Sequence, residues 1–186
     1  MHTIFIFHGV DGDPNENWLP WMKKEFEEAG HRVIIPTFPH SNTPTLDEWM
    51  QEMERYEKQV DEGSIFVGHS LGAAFALRLT ENMHQCILGS FLVAPVWEVM
   101  GNSYDTLMLT FTTAPYDWMK VKSHCKSFFV IQGEGDPYIS LAKSQTLQKN
   151  LGATLMIIPN GKHLNTTAGF REFPQLRDAI LREITT

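Results

Sequence analysis

Six short runs along the chain are apolar at successive positions rather than at alternate ones. They are TIFIF (3–7), RVIIPTF (32–38), SIFVG (64–68), SFLVA (90–94), SFFVIQ (127–132) and TLMIIP (154–159). Runs of this length, rich in β-branched and aromatic residues, predict strands covered on both faces. Between them the period changes. WLPWMKKEFEEAG (18–30) closes on a glycine suited to a helix C-terminus. TLDEWMQEMERYEKQVDEG (45–63) opens with Thr45 and carries Glu48 three residues on, a capping-box pattern. LGAAFALRLTENM (71–83), ISLAKSQTLQKNLG (139–152) and FPQLRDAILREI (173–184) complete the helical set. Alternation of this kind predicts one α/β domain over residues 1–186: a mostly parallel sheet of about six strands, joined by right-handed crossovers, with helices on both faces.

Residues 95–125 break the rhythm and show no clean period. They follow the C-terminal end of a strand, where folds of this class gather their substrate contacts. The segment is too short for a separate lid domain, so the expected pocket is open.

Composition changes this picture little. The 186 residues are enough to remove roughly 70% of the unfolded surface from water in one domain. A hydrophobic fraction of 42% and a charged fraction of 20% belong to an ordinary globule and exclude a disordered or fibrous chain. The net charge of −7, with no cluster of Lys or Arg, argues against nucleic acid and anionic membranes as partners. The run in MHTIFIFHG is too short to span a bilayer and has no basic flank or cleavage site, so it reads as a buried strand. Cys86 and Cys125 lack metal-ligand spacing and read as reduced core residues, the pattern of a cytoplasmic protein. Nothing in the spacing of the His, Cys, Asp and Glu residues resembles a metal site, so no metal is expected.

Candidate chemistry enters at Gly68-His69-Ser70-Leu71-Gly72. The pattern G-x-S-x-G is common by itself, but here a strand runs directly into it and a helix runs directly out, as a nucleophile elbow requires. A sharp turn lifts the serine hydroxyl clear of the sheet, and the glycines let strand and helix pass close to it. The helix starting at Leu71 aims its free N–H groups at any oxyanion beside Ser70. A serine needs a base to take its proton and an acid to fix the base's tautomer, in the chain order Ser, Asp/Glu, His. Of the eight histidines only His163 follows the polar turn GEGDPYI, which offers Glu134 and Asp136. Asp136 sits farther into the loop and is the better placed acid. His69, inside the elbow, reads as a packing or outward residue. A second oxyanion donor is expected from Val10, in the HGVDGDP turn after the first strand, working with the Leu71 N–H. Phe38, Trp97 and Met108 are candidates for an apolar acyl pocket.

Taken together, His8-Gly9, the W-x-x-W of Trp18 and Trp21, P-x-F-P at 36–39, GHSLG, Leu92-Val93-Ala94-Pro95, G-x-x-D-x-x-I at 133–139 and G-x-H-L-N at 161–165 span nearly the whole chain. This set resembles the small serine hydrolases grouped with retinoblastoma-binding protein nine and bacterial YdeN. The resemblance implies a minimal α/β-hydrolase lacking the first strands of the larger fold, with Ser70, Asp136 and His163 as its triad. It also implies esterase-like or aminopeptidase-like activity on a small acyl substrate without a cofactor. One feature departs from the family. Neither MHQCILG nor KSHCKSF fits the L-x-C-x-E segment that binds the retinoblastoma protein, so that partner is not expected. The reading is therefore hydrolysis of carboxylic esters, or of amides or thioesters through the same acyl-enzyme. The alternative is an interaction module with an unused triad, presenting Trp18, Trp21 or Trp118 to a partner.

Overall fold

The computed structural model describes residues 1–185. Six strands form one sheet: β1 (Thr3–Phe7), β2 (Arg32–Ile34), β3 (Ile65–His69), β4 (Ile87–Val93), β5 (Cys125–Gly133) and β6 (Thr154–Ile158). Their spatial order is β2-β1-β3-β4-β5-β6 and every pairing is parallel. The chain leaves β1 for one edge, returns to lay β3 on β1's other side, and then proceeds to the opposite edge. That reversal opens a crevice above the C-terminal ends of β1 and β3, the place where such sheets bind ligands.

The helices are α1 (Leu19–Glu28), α2 (Leu46–Glu54), α3 (Leu71–Asn82), α4 (Asp105–Thr112), α5 (Trp118–Ser123), α6 (Leu141–Leu151) and α7 (Pro174–Thr185). All five residues of β1 and all five of β3 are buried, so both faces of the sheet's centre are covered. Beside β1 and α3, the rings of Phe7, Phe38, Trp49, Phe75 and Phe111 interlock, with Phe38 stacked on Trp49 at 4.2 Å. The edge strands differ from the expected two-sided burial. In β6, Leu155 and Met156 are half-buried and Ile157 is exposed. The strand expected over 32–38 stops at Ile34, because Pro36 and Pro39 have no N–H to give a ladder.

Thr45 starts α2 as expected: its Oγ1 accepts from the Glu48 amide at 3.4 Å and donates to the Glu48 carboxylate at 2.7 Å. The helix ends at Glu54 and a 3₁₀ turn follows at Glu57–Gln59, so the 45–63 pattern covers two pieces. The unperiodic segment folds as α4, α5 and their loops. Its far end is fastened to Arg78 of α3, a side chain only 4% exposed. The Arg78 guanidinium donates to the carbonyls of Phe111, Ala114 and Pro115, pairs with Glu81 at 2.9 Å, and lies 3.6 Å over the Tyr116 ring. Its near end is closed by Asp105, whose carboxylate accepts from the amides of Met100, Gly101 and Asn102. Among the described residues no helix is long and apolar enough to cross a membrane.

Candidate active site

Ser70 sits between β3 and α3 at φ +56°, ψ −119°, a backbone conformation that a side-chain-bearing residue rarely adopts. The surroundings hold it there. Its amide donates to Val93 O at 2.9 Å, and its carbonyl accepts from Ala73 at 3.0 Å and Val96 at 3.1 Å. The flanking glycines are needed for space. A Cβ on Gly68 would lie 2.3 Å from Gly72 O, and one on Gly72 would lie 2.2 Å from Phe7 O. Strand β1, strand β3 and helix α3 therefore pass at backbone contact around the serine. The turn after β1 touches it directly, since a Cβ on Gly9 would stand 3.0 Å from Ser70 Cβ and 3.4 Å from its Oγ.

Asp136 and His163 come from the loops after β5 and β6. His163 Nδ1 lies 2.9 Å from Asp136 Oδ2. A carboxylate accepts, so Nδ1 carries the proton and Nε2 keeps its lone pair. The other oxygen, Oδ1, accepts from the amides of Tyr138 at 2.8 Å and Ile139 at 3.1 Å. The Asp136 side chain is fully buried and that of His163 is 12% exposed. Glu134 does not compete for the imidazole; it is exposed and accepts from the Asn160 amide.

Ser70 and His163 both line a cavity of about 230 Å³. Val10 and Met108 line it as well, together with Asp11, Tyr104, Tyr138 and Asn165, and Leu71 is the buried first residue of α3. No lysine or arginine among the described residues lines it.

Two expected pocket residues lie elsewhere. Phe38 is a core residue: its ring fills the aromatic cluster on Trp49, out of reach of the cavity. Trp97 is also buried and turned away, because its indole N–H finds a partner in the Lys143 carbonyl at 3.2 Å and its ring packs on Trp118. Trp18, considered above for a partner surface, is fully buried, and Trp21 and Trp118 are half-buried. The sequence reading missed Tyr138, whose ring packs edge-on against His163 at 4.9 Å, and Asn165. Each stands two positions beyond a named site residue, in the same loop, and that adjacency was the available signal.

Two further histidines are buried here. His8 Nδ1 donates to Gly9 O at 3.0 Å while Nε2 accepts from Phe38 N at 3.4 Å, and burial lowers its pKa. His69 is held down to about 3, by burial first and by the neighbouring His163 second. Both are neutral props rather than proton carriers at ordinary pH. The described residues contain no group of three or more His, Cys, Asp or Glu able to hold a metal ion.

The sheet order and the strained strand–serine–helix turn are those of an α/β-hydrolase, with no separate lid domain. The chain belongs to the family described as serine hydrolase, whose sequence profile matches residues 4–182. It is 26% identical over 180 residues to YdeN of Bacillus subtilis (strain 168), covering 95% of this chain and 93% of that protein. It is 27% identical over 169 residues to the serine hydrolase RBBP9 of Rattus norvegicus, covering 90% and 87%. The crystal structure of the B. subtilis ydeN gene product superposes over the full length of both chains with a TM-score of 0.95 at 24% identity.

Proposed function

We propose that the protein hydrolyses small carboxylic esters through an acyl-enzyme on Ser70. His163 Nε2 takes the Ser70 proton as the hydroxyl attacks the carbonyl and later returns it to the leaving group. Asp136 orients the imidazole and stabilises its charged form. The N–H groups of Val10 and Leu71 receive the tetrahedral oxyanion. The observation that carries this reading is the 2.9 Å contact of His163 Nδ1 with Asp136 Oδ2, which leaves the lone pair on Nε2 of a residue that lines the same cavity as Ser70. Thioesters and amides would use the same steps with a different leaving group. The direct test is labelling with a fluorophosphonate probe. Wild type should be modified at Ser70, and Ser70→Ala should show neither labelling nor turnover of 4-nitrophenyl butyrate. Labelling that persists in Ser70→Ala sinks the proposal.

The charge of the lining restricts the acyl group further. With Asp11 among the lining residues and no lysine or arginine among the described ones there, a negatively charged acyl chain would meet repulsion of about 1 kcal/mol at several ångströms in a wet site. Mono-4-nitrophenyl succinate should therefore be a poorer substrate than 4-nitrophenyl butyrate, by about 5- to 10-fold in kcat/KM. Asp11→Asn should narrow that gap, and the salt dependence of the ratio should shrink with it.

A further inference from the structure

The loop that carries His163 has an unusual backbone. Asn160, Lys162 and Leu164 all have positive φ, at +53°, +47° and +51°. Alternate non-glycine residues in the left-handed region persist only where the surroundings hold them. Three side chains from distant parts of the sequence do so. His69 Nε2 lies 3.0 Å from His163 O, Trp18 Nε1 donates to Leu164 O at 2.9 Å, and Asn17 Oδ1 accepts from Thr166 N at 2.8 Å. The rings are packed as well: His69 meets His163 at 5.2 Å and Trp18 at 5.9 Å. A carbonyl can only accept, so His69 Nε2 carries a proton and donates it to the main chain of His163.

We propose that His69 is a positioning residue, whose Nε2–H bond to the His163 carbonyl sets the base in register with the nucleophile. The assignment rests on the hydrolase reading above. Its force comes from chain connectivity. His69 and Ser70 are consecutive, so one peptide link and one hydrogen bond tie the nucleophile to the backbone of the base. The two loops leave the sheet from β3 and β6, which are separated by two strands, so no strand pairing ties them directly. The bond uses the nitrogen that bears a proton whether the ring is neutral or charged, so this tie does not open as the medium becomes mildly acidic.

Three substitutions separate positioning from packing. His69→Phe keeps a buried ring and removes the donor. His69→Gln places an amide N–H near the position of Nε2, and His69→Asn carries the same amide on a side chain too short to reach the carbonyl. With 4-nitrophenyl butyrate, His69→Phe and His69→Asn should lose about 10- to 100-fold in kcat with KM within about threefold of wild type. His69→Gln should recover to within about fivefold. The low-field proton resonance of His163 Nδ1–H, identified by its absence in His163→Ala, should weaken in the Phe and Asn variants and return with Gln. Equal kcat in folded Gln and Asn variants overturns the assignment. So does unfolding of both Phe and Asn variants while Gln stays folded and no more active than a random core variant, because His69 would then serve the fold alone. A wild type that ignores the fluorophosphonate probe defeats the hydrolase reading instead, and the two failures are told apart by that control.

Discussion

Asp136→Asn will lower kcat by about 10⁴-fold, as much as Asp136→Ala or more, despite being nearly isosteric with the native side chain. The reason lies in the other carboxylate oxygen. Oδ1 accepts from the amides of Tyr138 and Ile139, so in the asparagine variant the carbonyl oxygen must occupy that position. The NH₂ group is then left facing His163. Two donors cannot share a hydrogen bond, so His163 Nδ1 must become the acceptor and the proton must move to Nε2. An imidazole in that tautomer has no lone pair for the Ser70 proton. His163→Ala should cost at least as much by removing the base outright. The measurement is kcat on a short nitrophenyl ester with the fluorophosphonate labelling rate beside it, and both should fall together. An asparagine variant within tenfold of wild type would falsify the assigned role of Asp136.

The second large effect is on stability. Gly72→Ala adds one methyl group, yet that carbon would stand 2.2 Å from Phe7 O and 2.7 Å from His8 O. Neither atom is the free end of a side chain, so relief requires prying α3 away from the central strand. The expected loss is about 3–5 kcal/mol, or no folded protein at all. Gly89→Ala is the control. There the new carbon would have no neighbour nearer than 3.5 Å, an ordinary contact, and stability should change by less than about 1 kcal/mol. Urea unfolding of the two variants, compared by midpoint at constant slope, checks the pair.

Much of this architecture was legible because the central strands are covered on both faces, and continuous apolar runs such as TIFIF announce such burial. The residues proposed as nucleophile and base stood out for a different reason. The elbow pattern fell between a strand and a helix, and only one histidine follows Asp136 in the chain. The choice between Asp136 and Glu134 needed coordinates, because both lie in one short turn and only the direction of each side chain separates them. Pocket residues were less readable. Phe38 and Met108 are equally apolar in sequence, and hydrophobicity does not say whether a ring faces a cavity or another ring. The break after Glu54 was hidden as well, since Tyr56 and Val60 beyond it still pack on the core and continue the amphipathic pattern. His69 shows the same limit. Its position in the elbow was plain, but the carbonyl it serves lies 94 residues away.

The fastening of the irregular segment has a bearing on how such a chain diversifies. Arg78 secures the stretch from Phe111 to Pro115, and Asp105 ties down the backbone amides of residues 100–102, so the side chains of Met100 and Tyr104 at the cavity take no part in either knot. Exchanging Met100 and Tyr104 as a pair should then reshape the cavity wall while the scaffold stays as it is, whereas Met108 is also part of the core.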